Sequence, residues 1–380
     1  MKCILAPDSY KGSLSAVEVS ESMERGIKHV FPNCEIKAFP LADGGEGTVD
    51  SLVNITKGTI FNEVVTGPLG EKVTAKWGVL GDTNTAVIEM AEASGLTLIS
   101  EDDLDPMCAT TYGTGELISR ALDYGCETII LGIGGSATND AGAGMAAALG
   151  VEFLDESGQK LPPGGQALKE LETINTEKLD FRIFSTKIVA ACDVTNTLCG
   201  PDGASAIFGP QKGATPEMVA KLDKSLENLG HKVQQYLNKN IMNVPGAGAA
   251  GGLGGGLLAF LNASLEPGID LILDAIQFEE ELQDADIVLV GEGKTDAQTI
   301  FGKAPMGVGR KAEKHGVPVI CVSGSLSEGY EQLKDYGVSA FFSIAKSPAS
   351  LQQLSENADR LVEDAVKNIM EVYKCGKTKL

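Results

Sequence analysis

The chain has 380 residues, a length that predicts two domains, and its 43% hydrophobic and 22% charged residues are typical of globular proteins. Its formal net charge of -21 argues against a surface that binds nucleic acid or anionic lipid, because either partner would be repelled over most of the exterior. An anionic substrate would therefore need a local cluster of Lys, Arg or backbone N–H groups.

Cysteine usage and hydropathy indicate a cytoplasmic protein without a membrane segment. The eight cysteines include no C-x-x-C pair and the chain has three histidines, so a zinc site is not expected. Free thiols in a long chain are typical of a reducing compartment. The uncharged run 241–265 is long enough to span a bilayer, but it is rich in glycine, so a membrane segment is not expected there.

The N-terminal part of the chain predicts alternating strands and helices. The stretch "CILAPDSY" predicts a buried strand, residues 13–30 a helix that opens at Ser13, "EIKAFPLAD" a second strand and residues 46–56 a second helix. The next three segments, "TIFNEVVTG", "KVTAKWGVLG" and "TAVIEMAEASG", are rich in β-forming residues, and their turns leave no room for helices. They predict antiparallel strands.

Strands and helices alternate again after Thr110, with helices predicted near 115–124, 140–149 and 215–237, and a last helix of about 25 residues from 348. We infer an α/β fold of two domains. Residues 1–60 and 284–380 are expected to form a doubly wound, Rossmann-like domain with a parallel sheet. Residues 61–283 are expected to form an inserted α/β domain with some antiparallel strands.

Polar residues follow the first two predicted strands, at the sheet edge where open α/β sheets bind ligands. Asp8, Ser9 and Lys11 follow the first strand, and Lys11 supplies positive charge to an acidic chain. Asp43 follows the second strand beside a pair of glycines, where a carboxylate suits Mg²⁺. An ordinary capped turn is the alternative explanation for both loops.

The segment 127–155 fits two kinds of ligand. Gly132, Gly134 and Ala137 give the spacing G-x-G-x-x-A between a strand and a helix, and Asp155 ends the next strand, as in a dinucleotide-binding unit. The loop also carries polar side chains that favour a terminal phosphate over a pyrophosphate. These residues follow Gly134 and Gly135 and are Ser136, Thr138, Asn139 and Asp140.

Two later loops carry acids suited to phosphoryl transfer. Asp193 ends a strand and Asn196 follows it, a pair whose chemistry resembles the base and the metal ligand that phosphoryl transfer needs. Lys294, Asp296 and Lys303 follow the strand "DIVLVGEG", where lysine and aspartate suit an anion and a metal ion. No Walker A motif is present, because neither "GKT" has the required preceding glycine.

The run "VPGAGAAGGLGGGLLAF" (244–260) contains Gly246, Gly248 and Gly251 in the spacing G-x-G-x-x-G. No predicted strand directly precedes it, so the context of a dinucleotide site is missing. We interpret the run as a loop leading into a glycine-rich helix, where close backbone approach serves phosphate groups or packing.

Nine segments resemble the type 1 glycerate kinases of bacteria, in family order and over nearly the whole chain. They are "DSYKGSLSA", "LADGGEGT", "TYGTGELI", "GIGGSATND", "CDVTNTLCGPDGA", "FGPQKGA", "PGAGAAGGLG", "VGEGKTD" and "GKAPMGV". The resemblance implies two α/β domains with the active site in the cleft between them. It also implies phosphoryl transfer from ATP, with Mg²⁺, to a hydroxyl of D-glycerate. Lys294 stands where the family frequently has arginine, so the bidentate fork of arginine is lost there.

Residue roles follow as hypotheses from this resemblance and from the loops above. Asp193 is expected to accept the proton of the glycerate hydroxyl, and Asp296 with Asp43 to hold Mg²⁺. The residues expected at the substrate carboxylate or the transferred phosphoryl group are Lys11 and Lys303, with Asp8 and Ser9 beside them. The residues expected at the ATP phosphates are Gly134, Gly135, Ser136, Thr138, Lys294, Gly246, Gly248 and Gly251.

Two other functions remain open at the level of sequence. One is an NAD-dependent dehydrogenase built on the strand, loop and helix of 127–155, and the other is a sugar-acid sensor without catalysis. Asp193 and Asp296 favour an enzyme, because a sensor does not need these acids. We expect a monomer or homodimer, and the sequence does not distinguish phosphorylation of O2 from that of O3.

Overall fold

The computed structural model describes residues 1–41, 47–81 and 83–377. The chain forms two compact units, one made of 1–43 with 269–380 and the other of 44–268. Among the described residues, no helix combines the length and the apolar character needed to cross a bilayer.

The first unit begins with β1 (Lys2–Pro7), α1 (Ala16–Val30) and β2 (Glu35–Ala38). The sequence predicts that α1 opens at Ser13, but the N-cap is Ser15. Ser15 accepts a hydrogen bond from Glu18 N, and the Glu18 side chain accepts one from Ser15 N, which completes a capping box. Ser13 has no acid three residues later, and its hydroxyl instead donates to Ser355 O at 3.0 Å.

The second unit contains a six-stranded mixed sheet flanked by helices. Its elements are α2 (Thr48–Thr56), β3 (Thr59–Thr66), β4 (Lys72–Val79), β5 (Thr85–Glu89), α3 (Ala91–Ser94), α4 (Tyr112–Tyr124), β6 (Thr128–Gly132), α5 (Ala143–Ala148), β7 (Glu152–Leu154), β8 (Thr173–Asn175), β9 (Lys187–Ala191), α6 (Ala204–Phe208), α7 (Pro216–Leu237), α8 (Ala249–Phe260) and β10 (Ser264–Glu266). The strand order is β10-β9-β6-β5-β4-β3. β3, β4 and β5 pair antiparallel, which confirms the prediction for these segments, and the other pairs are parallel.

β7 lies outside the six-stranded sheet. It pairs antiparallel with β8 in a separate two-stranded sheet, with Phe153 opposite Ile174. A dinucleotide-binding unit requires the strand after the helix to run parallel to the first strand in the same sheet. The dehydrogenase interpretation of 127–155 is therefore wrong, because β6, α5 and β7 do not form that unit.

The chain then returns to the first unit. Its remaining elements are α9 (Gly268–Ala275), α10 (Phe278–Leu282), β11 (Ile287–Gly291), β12 (Lys294–Thr295), α11 (Ala304–Lys314), β13 (Val319–Ser323), β14 (Ser325–Leu326), β15 (Val338–Ser343), α12 (Leu351–Glu356) and α13 (Ala358–Lys377). The single last helix predicted from 348 is two helices. α12 ends at Asn357, whose side-chain amide donates to Gln353 O at 2.9 Å.

The first unit has a five-stranded, fully parallel sheet with the order β15-β13-β11-β1-β2. From β1 the chain proceeds to β2 on one side, and from β11 it proceeds to β13 and β15 on the other. The strand order therefore reverses between β1 and β11, which is the switch point where doubly wound sheets bind ligands. The predicted doubly wound fold is confirmed.

Helices cover the face of this sheet that carries Cys3 and Leu5 of β1. Both side chains are buried, and they belong to one apolar cluster with Met23 of α1 and Val362 and Val366 of α13. β1 and β11 are buried along their whole length, as expected for parallel strands covered on both faces.

The boundaries between the two units differ from those predicted from the sequence. Helix α2, grouped with the first domain from sequence, packs on β3, β4 and β5 and belongs to the second unit. Residues 269–283, grouped with the insertion, belong to the first unit. Side-chain contacts join this segment to the start of the chain. The rings of Phe39 and Phe278 meet edge to face at 5.5 Å, and Lys2 Nζ lies 2.8 Å from Glu281 Oε2.

We predict that the contact between α1 and α13 depends on the absence of a side chain at Gly26. A Cβ there would lie 2.6 Å from Glu363 O and 2.9 Å from Val366 Cβ. Gly26→Ala is expected to lower the free energy of unfolding by about 1–3 kcal/mol through overpacking. Urea unfolding followed by circular dichroism measures the change.

Gly376→Ala is the matched control, because a Cβ at Gly376 of α13 meets no atom within 4 Å. It is expected to leave stability unchanged or to raise it by up to about 1 kcal/mol, since alanine is the better helix former. Equal unfolding midpoints for the two variants would contradict the close packing at Gly26.

Candidate active site

The loops after β1 and β11 meet at the switch point of the first unit. Asp8 N donates to Gly291 O at 2.9 Å, which joins the two strand ends. A Cβ on Gly293 would lie 3.3 Å from Lys11 N, so the backbones of the two loops approach closely. Asp8 and Ser9 are half-buried and Lys11 is exposed. The structure therefore places these three predicted residues beside the loop that carries Lys294 and Asp296.

Lys294 and Asp296 form an ion pair, with 2.8 Å between Nζ and Oδ2. The hydrogen bond from Lys294 and a second one from Gln298 N lower the pKa of the Asp296 carboxyl. Asp296 is therefore a carboxylate at neutral pH. Its charge is balanced by the more exposed Lys294, whose side chain is 60% exposed.

A buried carboxylate, Glu292, lies in the same loop. Its Oε1 accepts hydrogen bonds from Thr299 Oγ1 at 2.7 Å and from Thr295 Oγ1 at 3.0 Å. Thr295 Oγ1 also lies 2.7 Å from the hydroxyl of Ser323, which ends β13. Burial raises the pKa of Glu292, against the opposing effects of Thr299, Lys303 and Thr295. The network fixes the polypeptide that follows β11.

Lys303 connects this network to the helix that follows it. It is the N-cap residue of α11, and its Nζ lies 3.6 Å from Glu292 Oε2. Lys303 also lowers the pKa of Asp296 through its charge. Glu292 therefore lies within ion-pair distance of Lys303 near the switch point, and Asp296 is close enough to be affected by the charge of Lys303.

In the second unit, the loop between β6 and α5 has an exposed part and a buried part. Gly134 and Gly135 are exposed, and Gly135 has a φ of 72°, which favours glycine. Ser136 and Thr138 are buried. Lys212 Nζ donates to Ser136 Oγ at 2.7 Å and to Thr138 O at 2.6 Å. Only the first part of the predicted phosphate loop therefore presents its backbone to solvent.

Asp140 at the end of this loop holds two helices. It is buried and accepts hydrogen bonds from Thr111 N at 2.9 Å and from Gly142 N and Gly144 N, each at 3.1 Å. These amides lie at the N-terminal ends of α4 and α5. Burial raises the pKa of Asp140, and the hydrogen bonds counteract that effect. The carboxylate therefore orients the two helices that follow β5 and β6.

Asp193 is exposed at the carboxyl end of β9. Its Oδ1 accepts a hydrogen bond from Gly268 N at 3.0 Å, which joins the carboxylate to the first residue of α9. Asn196 Nδ2 donates to Asp202 O at 2.9 Å, within the loop that follows. Asp193 is thus oriented by a backbone amide and remains accessible from solvent.

The glycine run forms the beginning of α8, where Ala250, Gly251 and Gly252 have positive φ angles and break the helix. Its glycines are buried against the chain's own backbone. A Cβ on Gly251 would overlap Thr138 O, and one on Gly248 would overlap Thr197 O. At Gly246 a Cβ would lie 3.0 Å from Cys192 Sγ. The close approach that these glycines permit is therefore packing of the loops after β6 and β9.

Asp43, one of the two predicted Mg²⁺ ligands, lies outside the described residues. Within 1–41, 47–81 and 83–377, no group of three or more His, Cys, Asp or Glu side chains is arranged to hold a metal ion. Among the predicted ligands, the structure describes only Asp296.

A family model described as the glycerate kinase family matches residues 3–374. The chain belongs to the glycerate kinase family. A glycerate kinase of Bacillus subtilis (strain 168) is 50% identical over 378 residues, which cover 100% of this chain and 99% of that protein. A glycerate 2-kinase of Escherichia coli (strain K12) is 46% identical over 376 residues, which cover 99% of both chains.

A solved crystal structure from Salmonella typhimurium LT2, named as a candidate glycerate kinase 2, has the same fold. It matches this member of the glycerate kinase family with a TM-score of 0.88 and 45% identity, covering 99% of each chain.

Several buried charged groups in this glycerate kinase family member were assigned no role from sequence. They include Glu292, Lys212 and Glu89, and Glu89 accepts hydrogen bonds from Val49 N at 2.7 Å and Gly47 N at 3.2 Å. Glu89 and Glu292 are recognisable as acids at the ends of buried strands. Lys212 has no such signal, because its partners Ser136 and Thr138 are distant in the sequence.

We predict a pH-dependent stability that originates at Lys212. Burial lowers the pKa of this lysine from 10.5 to about 7, against a smaller opposing effect of Asp140. Between these two pH values the unfolded chain binds more protons than the folded one, so the free energy of unfolding rises with pH across that window. The contribution is at most about 1.4 kcal/mol per pH unit.

Lys212→Met is expected to remove this rise, as measured by urea unfolding at several pH values between 7 and 10. Lys224→Met, at an exposed lysine of α7, is the control and should keep it. If the stability of Lys212→Met relative to the parent chain were independent of pH, Lys212 would not be the source.

Proposed function

We propose that this chain transfers the γ-phosphoryl group of ATP, with Mg²⁺, to a hydroxyl of D-glycerate, and so forms 2- or 3-phosphoglycerate. Membership of the glycerate kinase family along residues 3–374 is the observation that carries this proposal. The distribution of charge supports it, because lysines stand at strand ends in a chain whose net charge is -21.

The substrate carboxylate or the transferred phosphoryl group is assigned to Lys11 and Lys303. Lys294 is already paired with Asp296, and Lys303 is shared with Glu292. Among the described residues, no carboxylate lies within ion-pair distance of Lys11, so its charge is available to an anion. Asp8 and Ser9 lie beside Lys11 and are assigned to the hydroxyl groups of glycerate.

The ATP phosphates are assigned to the loop that begins at Gly134 and Gly135. Its exposed backbone has no Cβ to hinder close approach of an anion. Lys212 holds Ser136 and Thr138 behind that surface. For Gly246, Gly248 and Gly251 the phosphate role stays a prediction, and their burial supports packing behind the loop instead.

Asp296 fits Mg²⁺ by the chemistry of its donor atoms. Mg²⁺ prefers oxygen ligands and in kinases needs one or two protein carboxylates together with phosphate oxygens. Asp296 is ionised at neutral pH, and Asp43 is the second assigned ligand. When bound, Mg²⁺ would neutralise charge on the phosphates.

Asp193 is assigned as the general base. Gly268 N orients its carboxylate without burying it, which leaves the acid able to accept the proton of a substrate hydroxyl. Phosphoryl transfer asks little covalent chemistry of the protein, so positioning and charge are expected to supply most of the rate.

Asp193→Asn is expected to lower kcat by about 10²–10⁴-fold, because the amide cannot accept the proton while its shape is kept. Release of ADP measured against D-glycerate concentration gives kcat and KM. Asp202→Asn, an exposed acid of the same loop, should keep parental kinetics. A kcat of Asp193→Asn within a few-fold of the parent would remove Asp193 from the role of base.

The reaction itself is tested by ³¹P NMR of the chain with ATP, Mg²⁺ and D-glycerate. We expect ADP and one phosphomonoester signal, whose coupling to protons distinguishes attachment at O2 from attachment at O3. Binding of D-glycerate without formation of either product would instead support the sensor. D-lactate serves as a control, because it has the configuration of D-glycerate at C2 and lacks the terminal hydroxyl.

A further inference from the structure

A cavity of about 740 Å³ in the second unit has no part in the assignments above. The tip between β3 and β4, the N-terminal ends of α4 and α5, and the segment 151–168 line it. Its volume is within the range of about 300–1,000 Å³ that small-molecule sites occupy. Thr66, the last residue of β3, and the helix residues Tyr112 and Gly144 are among its lining residues.

The walls of the cavity suit a flat, apolar ring. Val151, Phe153 and Leu161 line it together with Ala147 of α5. Tyr112, the first residue of α4, also lines it and is 38% exposed, so part of its ring faces solvent. Aromatic side chains of this kind bind nucleobases by stacking.

One wall also carries a charged group, Glu152, whose side chain is only 15% exposed. Its Oε1 lies 3.0 Å from Lys160 Nζ and 3.0 Å from Lys178 Nζ. These two lysines lower the pKa of Glu152. A carboxylate accepts hydrogen bonds and does not donate them, so it matches the exocyclic amine of a purine ring.

The cavity wall and the loop that begins at Gly134 share one buried acid. Asp140 ends that loop and binds Thr111 N, which lies between the cavity residues Thr110 and Tyr112. The same carboxylate binds Gly144 N, and Gly144 also lines the cavity. One buried acid therefore fixes the exposed loop relative to the cavity wall.

We propose that this cavity binds the purine ring of the nucleotide, whose exocyclic amine donates a hydrogen bond to Glu152. The inference rests on the proposed function, since it presumes that the loop at Gly134 meets the phosphates. It assigns the apolar cavity, Tyr112 and Glu152 to a single ligand of defined chemistry.

The test fills the cavity and measures nucleotide binding apart from catalysis. Leu161→Trp is expected to weaken ADP binding about tenfold or more in calorimetry, and to raise KM for ATP while KM for D-glycerate stays within twofold. Leu351→Trp is the matched control, because Leu351 is 80% exposed on α12 and lines no part of this cavity. Inorganic tripolyphosphate, which lacks a purine, should inhibit Leu161→Trp and the parent equally.

Two further variants keep the inference testable if Leu161→Trp does not fold. Tyr112→Ala should weaken ADP binding about tenfold by loss of stacking. Glu152→Gln should weaken ADP binding about threefold or more, because a neutral amide oxygen is a weaker acceptor than a carboxylate. ADP affinity within twofold of the parent in both Leu161→Trp and Tyr112→Ala, with thermal unfolding unchanged, would overturn the inference.

Binding and turnover are recorded separately so that the two proposals fail separately. A parent chain that forms no ADP from ATP and D-glycerate would contradict the proposed function, and the cavity assignment would then be supported only if ADP binds the parent and binds Leu161→Trp about tenfold more weakly. A parent chain that turns over ATP while the filled cavity still binds ADP normally would overturn the cavity assignment alone.

Discussion

The parallel pairing of β1 with β11 is the constraint on which the first unit depends. Cys3 lies opposite Ile287 and Pro7 opposite Gly291, so the start of the chain is joined to a strand that follows the whole second unit. The entropic cost of closing a loop grows slowly with its length, and a folded insertion closes that loop with its own stability. The pairing also creates the reversal of strand order that brings Asp8, Ser9 and Lys11 to Lys294 and Asp296.

In the second unit, buried polar groups join segments that are distant in the sequence. Lys212 and Asp140 hold the loop between β6 and α5 at its two ends. Each is costly to bury and is compensated by hydrogen bonds to backbone groups that would otherwise be unsatisfied. Gly251 completes the arrangement, because only a residue without Cβ lets α8 approach Thr138 O. The exposed backbone at Gly134 is thus presented by a rigid support.

Local patterns in the sequence predict much of the fold, and contacts between distant segments explain where prediction fails. The buried runs of β1 and β11 and the Thr215-Pro216 start of α7 are visible in the sequence, because strand burial and helix caps are local signals. The position of β7 is not, since pairing with β8 depends on a segment some twenty residues away.

The candidate site shows the same division. Their positions after predicted strands make Asp8, Lys11, Asp193 and Asp296 candidates from the sequence, because ligands bind at the carboxyl edge of such a sheet. The packing role of the glycine run depends on which backbone lies against it, and the spacing G-x-G-x-x-G carries no information on that. The burial of Lys212 cannot be predicted from the sequence either, because its partners lie far along the chain and the local pattern is that of a surface lysine.

Charge pairing explains how an acidic chain can receive anionic ligands. Lys294 forms an ion pair with Asp296, and Lys303 forms one with Glu292, so these two lysines add little to the local positive potential. Among the described residues, Lys11 has no carboxylate within ion-pair distance. An anion that approaches this loop meets one open cation and two cations that are shared with carboxylates. The ion pairs weaken the attraction of Lys294 and Lys303 for a bound anion. They also fix the positions of the two lysine side chains, which reduces the reorganisation needed when the ligand binds. Specificity in such a site comes from the fixed geometry of the donors more than from the total positive charge.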